Sequence, residues 1–324
     1  MICSKNVINI LTAKSYKGIG RAWIVKNLKG NESIREIIDL LNKDSKEKDE
    51  ITVETFSNIA NMIKSKIQKL ENSMDGVVAL GDERFPKYRG KVKNSEQPIV
   101  IFYKGNLKLL NLENKNIAVI GLLDVDNNIE KIERIVVSEL VNQGATIVSG
   151  LALGCDSIAH QQALDSRGNT IAILPSALND IVPASNKKMA NDIIENNGLL
   201  ITEYYEEVKS KTESNSRFQE RDRLQALFSD AIILSASYAK DDSVKDSGAR
   251  LAMEYALNYS IPRAVIYNLN IDINNPKYNL NRQLINEDNN ITIINEENLL
   301  LSVKKILLSQ SNRNNIPKQA TFDF

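Results

Sequence analysis

Histidine is nearly absent from this chain: His160 is the only one in 324 residues. Cysteine is scarce too, with Cys3 and Cys155 far apart and without metal-ligand spacing. Together these shortages argue against a zinc site, so no metal is expected. They also leave no second histidine for a serine-histidine-aspartate arrangement. A surplus of charge is missing as well. Forty-one Lys and Arg balance 41 Asp and Glu, giving a formal net charge of zero. That excludes a protein coated in basic charge but not a local basic groove. No apolar run approaches the ~20 residues of a membrane span. The N-terminal apolar stretch is short and followed by lysines, unlike a signal peptide. The expected setting is therefore reducing and cytoplasmic. The single tryptophan, Trp23, is expected in a core rather than as a base-stacking platform.

What is present is ordinary for a globular protein, 42% apolar and 25% charged, in a length that suits one large domain and one small. Residues 1–72 read as short helices at 7–11, 24–28, 34–41 and 56–70. In the last, Phe56, Ile59, Ile63, Ile67 and Leu70 recur at helical spacing. The turn Gly18-Ile19-Gly20 resembles a helix-hairpin-helix element, whose amides can hold a nucleic-acid phosphate; a plain helix-helix turn reads equally well. The mixed-charge run 43–50 reads as a solvated linker. From residue 76 the pattern changes to short β-branched runs alternating with helical ones. Strands are expected at 76–80, 98–103, 117–121, 146–148, 170–174, 199–202, 231–234 and 264–267. Helices are expected at about 129–143, after His160, at 187–195 and at 248–259. This alternation predicts an α/β fold with a doubly wound, mostly parallel sheet. Residues 309–324 are polar and read as a loose tail.

The stretch 145–160, ATIVSGLALGCDSIAH, is the most informative. A β-branched run breaks at Ser149-Gly150 and Gly154, and a helical pattern follows. A strand, a glycine turn and a helix start can aim several N–H groups at one anion. Asp156 is placed to cap that helix. His160, one turn later, is within reach of Asp156 and is expected to be structural. Downstream, Arg221 and Arg223 lie two apart. They can clamp phosphates, or pair with Glu220, Asp222 or Asp230.

From about residue 8 to about 307 the chain resembles the DNA-processing protein A family, called DprA or Smf. Gly81-Asp82-Glu83-Arg84-Phe85-Pro86 resembles its "D-x-x-YP" segment, and 98–105 its "P-x-x-L-Y-x-K-G". Ser149-Gly150-Leu151-Ala152-Leu153-Gly154-Cys155-Asp156 resembles "SGLARGID", with Ala159-His160 following, and 168–172 resembles "G-x-T-I-A". Glu203 matches the glutamate of "SE", residues 218–223 match "FP-x-RNR", Ser247-Gly248 and Ala256-Leu257 match "SG…AL", and 281–285 match "N-x-LI". The resemblance implies a small helical N-terminal domain (1–72, helix-hairpin-helix or SAM-like) and an extended Rossmann-like domain (76–308). It implies single-stranded-DNA binding without catalysis, dimerisation, and loading of the RecA recombinase in natural transformation. No cofactor is implied. The expected DNA- or phosphate-binding residues are Gly121, Ser149, Gly150, Gly154, Arg221, Arg223, Ser247 and Gly248, with Asp156 and His160 structural.

The departures are specific. The family has Gly-Ser-Arg where this chain has Gly121-Leu122-Leu123, and arginine where it has Leu153. Asp222 replaces the asparagine of "RNR", and Cys155 replaces isoleucine as a buried small residue. The glycines of the family's "PGG"-like segment are missing near Asn268-Leu269, and so is the usual C-terminal winged-helix pattern. Losing two arginines weakens a phosphate site. An alternative is a Rossmann-pocket nucleotide sensor or a nucleoside-monophosphate phosphoribohydrolase. Ser247-Gly248-Ala249-Arg250 and Glu254 lie roughly where that enzyme group carries "GGxGTxxE".

Overall fold

A computed structural model of the chain describes residues 3–242 and 248–308. Four helices come first: α1 (Lys5–Ser15), α2 (Arg21–Asn27), α3 (Ile34–Asp44) and α4 (Val53–Gln68). Local sequence starts three of them. Ser4 accepts from the Val7 N–H, while Ser33 with Glu36 and Thr52 with Thr55 form reciprocal capping boxes. Each cap satisfies amides that a first turn leaves unpaired, worth about 1 kcal/mol. Gly18 makes the turn before α2 at φ +85°, a conformation glycine adopts without steric cost. Ile10, Ile24, Leu41 and Phe56 pack into a core that continues onto one face of the sheet through Val77, Val100 and Phe102.

Among the described residues nine strands follow: β1 (Gly76–Ala79), β2 (Val100–Gly105), β3 (Lys115–Ile120), β4 (Ala145–Ser149), β5 (Thr170–Ile173), β6 (Leu199–Thr202), β7 (Ala231–Leu234), β8 (Arg263–Ile266) and β9 (Thr292–Ile294). They form one sheet in the order β1-β2-β6-β5-β4-β3-β7-β8-β9. Only the pairings of β2, with β1 and with β6, are antiparallel; the other six are parallel. Ile117 pairs with Ile147 of β4 on one side and Ala231 of β7 on the other, so β3 and β4 are the adjacent parallel strands the sequence predicts. The strand order reverses at β3, which makes the β3/β7 boundary the switch point of a doubly wound sheet.

The intervening helices are α5 (Asn127–Asn142), α6 (Cys155–Asp165), α7 (Lys187–Glu195), α8 (Lys211–Leu227), α9 (Gly248–Asn258), α10 (Asn279–Glu287) and α11 (Leu299–Leu308). Period-two alternation sorts the strand residues between two faces. Ile117, Ile147, Ile233 and Ile266 meet α5, α6 and α11 through Val136, Ala163 and Val303. Ala118, Ile171, Ile232 and Leu234 share a core with Leu224 and Leu227 of α8 and with Met253 and Ala256 of α9. No helix among the described residues is long and apolar enough to cross a membrane.

Candidate functional site

Strand β4 ends at Ser149, whose buried Oγ donates to the Val119 carbonyl at 2.7 Å and ties β4 to β3. The chain then turns into α6. Leu151 takes φ +60°, and its carbonyl accepts from Asn186 Nδ2 at 2.8 Å; the same amide reaches Ala152 O and Ser157 Oγ. Gly154, at φ +71°, lies against the loop after β3: an added Cβ would sit 2.1 Å from the Leu122 carbonyl, which already accepts from Cys155 N–H at 2.9 Å.

The turn does gather N–H groups around an anion, and that anion is its own Asp156 carboxylate. Asp156 Oδ2 accepts from Gly150 N at 3.1 Å, Ala152 N at 3.2 Å and Arg221 Nη1 at 3.3 Å. Asp156 therefore staples the preceding turn to α8, while Gly154 occupies the helix cap. Arg221 also pairs with Asp222 at 3.2 Å, and its guanidinium lies 5.7 Å from the Phe218 ring centroid. With its amide oxygen facing them, Gln225 accepts from Arg221 Nη1 at 2.9 Å and from Gly150 N at 3.0 Å. Gly150 leaves the space that Arg221 fills: an added Cβ would lie 1.0 Å from Arg221 Nη1 and 2.6 Å from Gln225 Nε2, so both side chains would have to shift. Gly150→Ala is expected to cost about 1–3 kcal/mol through overpacking, measured by urea denaturation.

Over this floor opens a cavity of about 490 Å³, outside the carboxyl ends of β3 and β7. Gly121 and Leu123 follow β3, Phe218, Arg221 and Asp222 come from α8, Tyr238 follows β7, and Gly248 opens α9. Gly121, Arg221, Gly248 and Asp156 thus face one space, and Ser149, Gly150 and Gly154 shape the turn beside it. Ser247 lies outside the described residues. Leu123 is 60% and Leu153 48% exposed, whereas Leu122 is buried in the core.

Arg223 goes elsewhere. Residues two apart on a helix do not share a face, so where Arg221 reaches the cavity, Arg223 turns toward α2. It is 2% exposed and bonded to Glu203, with Glu220 3.4 Å away; Arg21 of α2 pairs with Glu203 at 3.1 Å and Glu220 at 2.8 Å. Of the carboxylates weighed as partners for the two arginines, Asp230 pairs with Arg89 instead, at 2.8 Å. The Gly18-Ile19-Gly20 turn is not part of the cavity lining. Ile19 is buried, and the Lys17 N–H donates to Glu47 at 2.7 Å.

His160 does not reach Asp156, which is held by the turn and Arg221. Its Nδ1 lies 2.7 Å from Thr170 Oγ1, and that hydroxyl donates to Ile147 O at 3.0 Å. The hydroxyl proton is thus used, so Nδ1 carries the hydrogen and donates. Burial lowers the ring pKa to about 4, so His160 is neutral and structural.

Sequence reasoning missed Glu133. It sits on α5 in the apolar stripe Ile129, Val136, Val137 and Leu140 and is fully buried beside Cys155 and Ser235. Burial raises its pKa to about 8. The signal was there: helical spacing from Ile129 places a glutamate on the core face.

The model of the family described as DNA recombination-mediator protein A matches residues 76–304. The chain belongs to that family. Among curated relatives, the protein Smf of Borreliella burgdorferi is 30% identical over 185 residues, 57% of this chain and 55% of that protein. The DNA processing protein DprA of Streptococcus pneumoniae is 38% identical over 109 residues, 34% of this chain and 37% of that protein. The alignments thus span about half, or less, of these relatives' lengths. The X-ray structure of the S. pneumoniae protein covers 93% of this chain and 98% of its own, with a TM-score of 0.69 and 22% identity, which shows the fold. DNA processing protein A from Helicobacter pylori, whose structure concerns its single-stranded DNA binding mode, has a TM-score of 0.56 and 26% identity, covering 74% of this chain and 98% of its own. The elements that build the cavity, from Gly121 to Gly248, all lie inside the family match.

Proposed function

We propose that this chain is a single-stranded-DNA-binding protein of the recombination-mediator kind, working without catalytic turnover. The observation that carries this is the position of the cavity: it lies at the switch point of the sheet and is built wholly from the segment that matches the family. By family membership, the reading extends to action with RecA as a homodimer in DNA uptake and transformation. The two cysteines are free, which accords with a reducing, cytoplasmic setting. Residues 1–72 would serve as a helical module beside the 76–308 domain. Family and structural matches favour this reading over a nucleotide sensor or phosphoribohydrolase.

Binding is expected to be weak. Leu123 and Leu153 stand exposed where the family resemblance puts arginines, and each missing cation removes a counterion-releasing phosphate contact. Fluorescence anisotropy with labelled oligo-dT tests this at several salt concentrations. Leu153→Arg should tighten binding and steepen the log–log salt slope by about 0.7 for a single strand. No binding by either protein at low salt would overturn the reading.

A further inference from the structure

The described residues lining the cavity put one arginine against the buried carboxylates Asp156 and Asp222. The arginine's charge is committed: Arg221 lies 3.3 Å from Asp156 and 3.2 Å from Asp222. Asp156 Oδ2 also takes the Gly150 and Ala152 N–H groups, so the anion seat of the turn is filled from within. A phosphate entering this space would meet two carboxylates at short range in a half-enclosed, low-dielectric site, where like charges repel strongly.

What the cavity offers is different. Asp156 carries its three bonds on Oδ2, and Oδ1 takes none of them. Phe218 and Tyr238 supply aromatic surface, and Gly248, where an added Cβ would meet only Asp222 Oδ2 at 3.6 Å, leaves its part of the wall without a side chain. About 490 Å³ falls within the range of small-molecule sites. Aromatic surface beside carboxylate acceptors suits a flat, uncharged group with N–H donors on its edge. Carboxylates accept from the exocyclic amine of a base, and aromatic rings stack on its face.

We propose that the cavity receives an amino-bearing nucleobase, cytosine, adenine or guanine, from the bound strand. The strand's phosphates then pass outside it, over the rim formed by Leu123 and Leu153. This rests on the single-stranded-DNA reading and gives it a base preference; thymine, lacking an exocyclic amine, is the poor ligand.

The test uses the full chain with labelled dC, dA and dT homopolymers of one length at low salt. Cytidine, adenosine, guanosine, thymidine and inorganic phosphate are added as competitors at constant ionic strength. The dC or dA strand should bind about tenfold more tightly than dT. Cytidine, adenosine or guanosine should displace it, and phosphate should not. Asp222→Asn should shrink the preference to about twofold, and Phe218→Ala should weaken the preferred strand. Equal affinity for the three strands with displacement by phosphate would overturn the proposal, as would equal tightening of all three by Asp222→Asn. If no strand binds, the single-stranded-DNA reading fails on its own, and calorimetry with the nucleosides still judges the cavity. Cytidine, adenosine or guanosine binding without thymidine supports the assignment, and no nucleoside binding overturns it.

Discussion

Arg223→Ala is expected to destabilise the protein by about 3–5 kcal/mol, the cost of breaking a buried, hydrogen-bonded ion pair from one side. Glu203, with its side chain 4% exposed, loses one of its two arginines, and the Glu96 carbonyl loses a donor. The remaining partner, Arg21, belongs to α2 and must then serve Glu203 and Glu220 alone. The contact between the helical region and the sheet should therefore loosen first, visible as hydrogen exchange in α2 and around Glu220 and Arg223 in the C-terminal half of α8 before global unfolding. Urea denaturation gives the magnitude. Binding of single strands by the folded protein should stay within about twofold, because Arg223 does not face the cavity. A stable Arg223→Ala variant that no longer binds DNA would reverse this assignment and make Arg223 a phosphate ligand.

Glu133→Gln is expected to act in the other direction, and in a pH-dependent way. The carboxyl titrates near 4.5 when exposed and about 8 when folded. Between those values the unfolded chain has released a proton that the native state still holds, so stability falls as pH rises. The loss is complete only above the folded pKa and amounts to a few kcal/mol as an order of magnitude. Removing the carboxyl removes that dependence. Glu133→Gln should be more stable than the parent by about 1–3 kcal/mol at pH 8 and close to it at pH 5. His160 acts oppositely. Its pKa is depressed from about 6.5 to about 4, so its contribution is intact above pH 6.5 and is lost as pH falls toward 4. The two slopes oppose each other between about 4.5 and 6.5, so the parent should be most stable at slightly acidic pH, and the substitution should remove the fall in stability above that range. Thermal melts from pH 5 to 8.5 check both statements; an unchanged alkaline limb would place Glu133 in contact with water.

Much of this architecture is legible in the residues themselves. β3, β4 and β7 are β-branched runs buried on both faces, so Ile117, Ile147 and Ile233 announce central parallel strands. β9 escapes notice because it is three residues long, in a polar stretch. The α8 helix escapes because residues 211–223 carry almost no apolar stripe. Arg217, Arg221, Asp222 and Arg223 are buried there through charge pairing rather than hydrophobicity, and periodicity cannot register that. The glycines of the 149–154 turn were legible, but not their reason. Gly150 makes room for Arg221, 71 positions away, and Gly154 for the Leu122 carbonyl. Nor does spacing reveal that Asp156 would fill the anion seat itself, since Arg221, which holds it from outside the turn, arrives from another helix.

The most direct test of the central claim is to map where a single strand lies. Oligonucleotides carrying a photoreactive pyrimidine, crosslinked to the full chain and read out by peptide mass spectrometry, give that position. Crosslinks within residues 121–124, 151–157 and 215–225, lost on competition with unlabelled strand, are the predicted result. Crosslinks confined to the Gly18-Ile19-Gly20 turn, with none around the cavity, would contradict it.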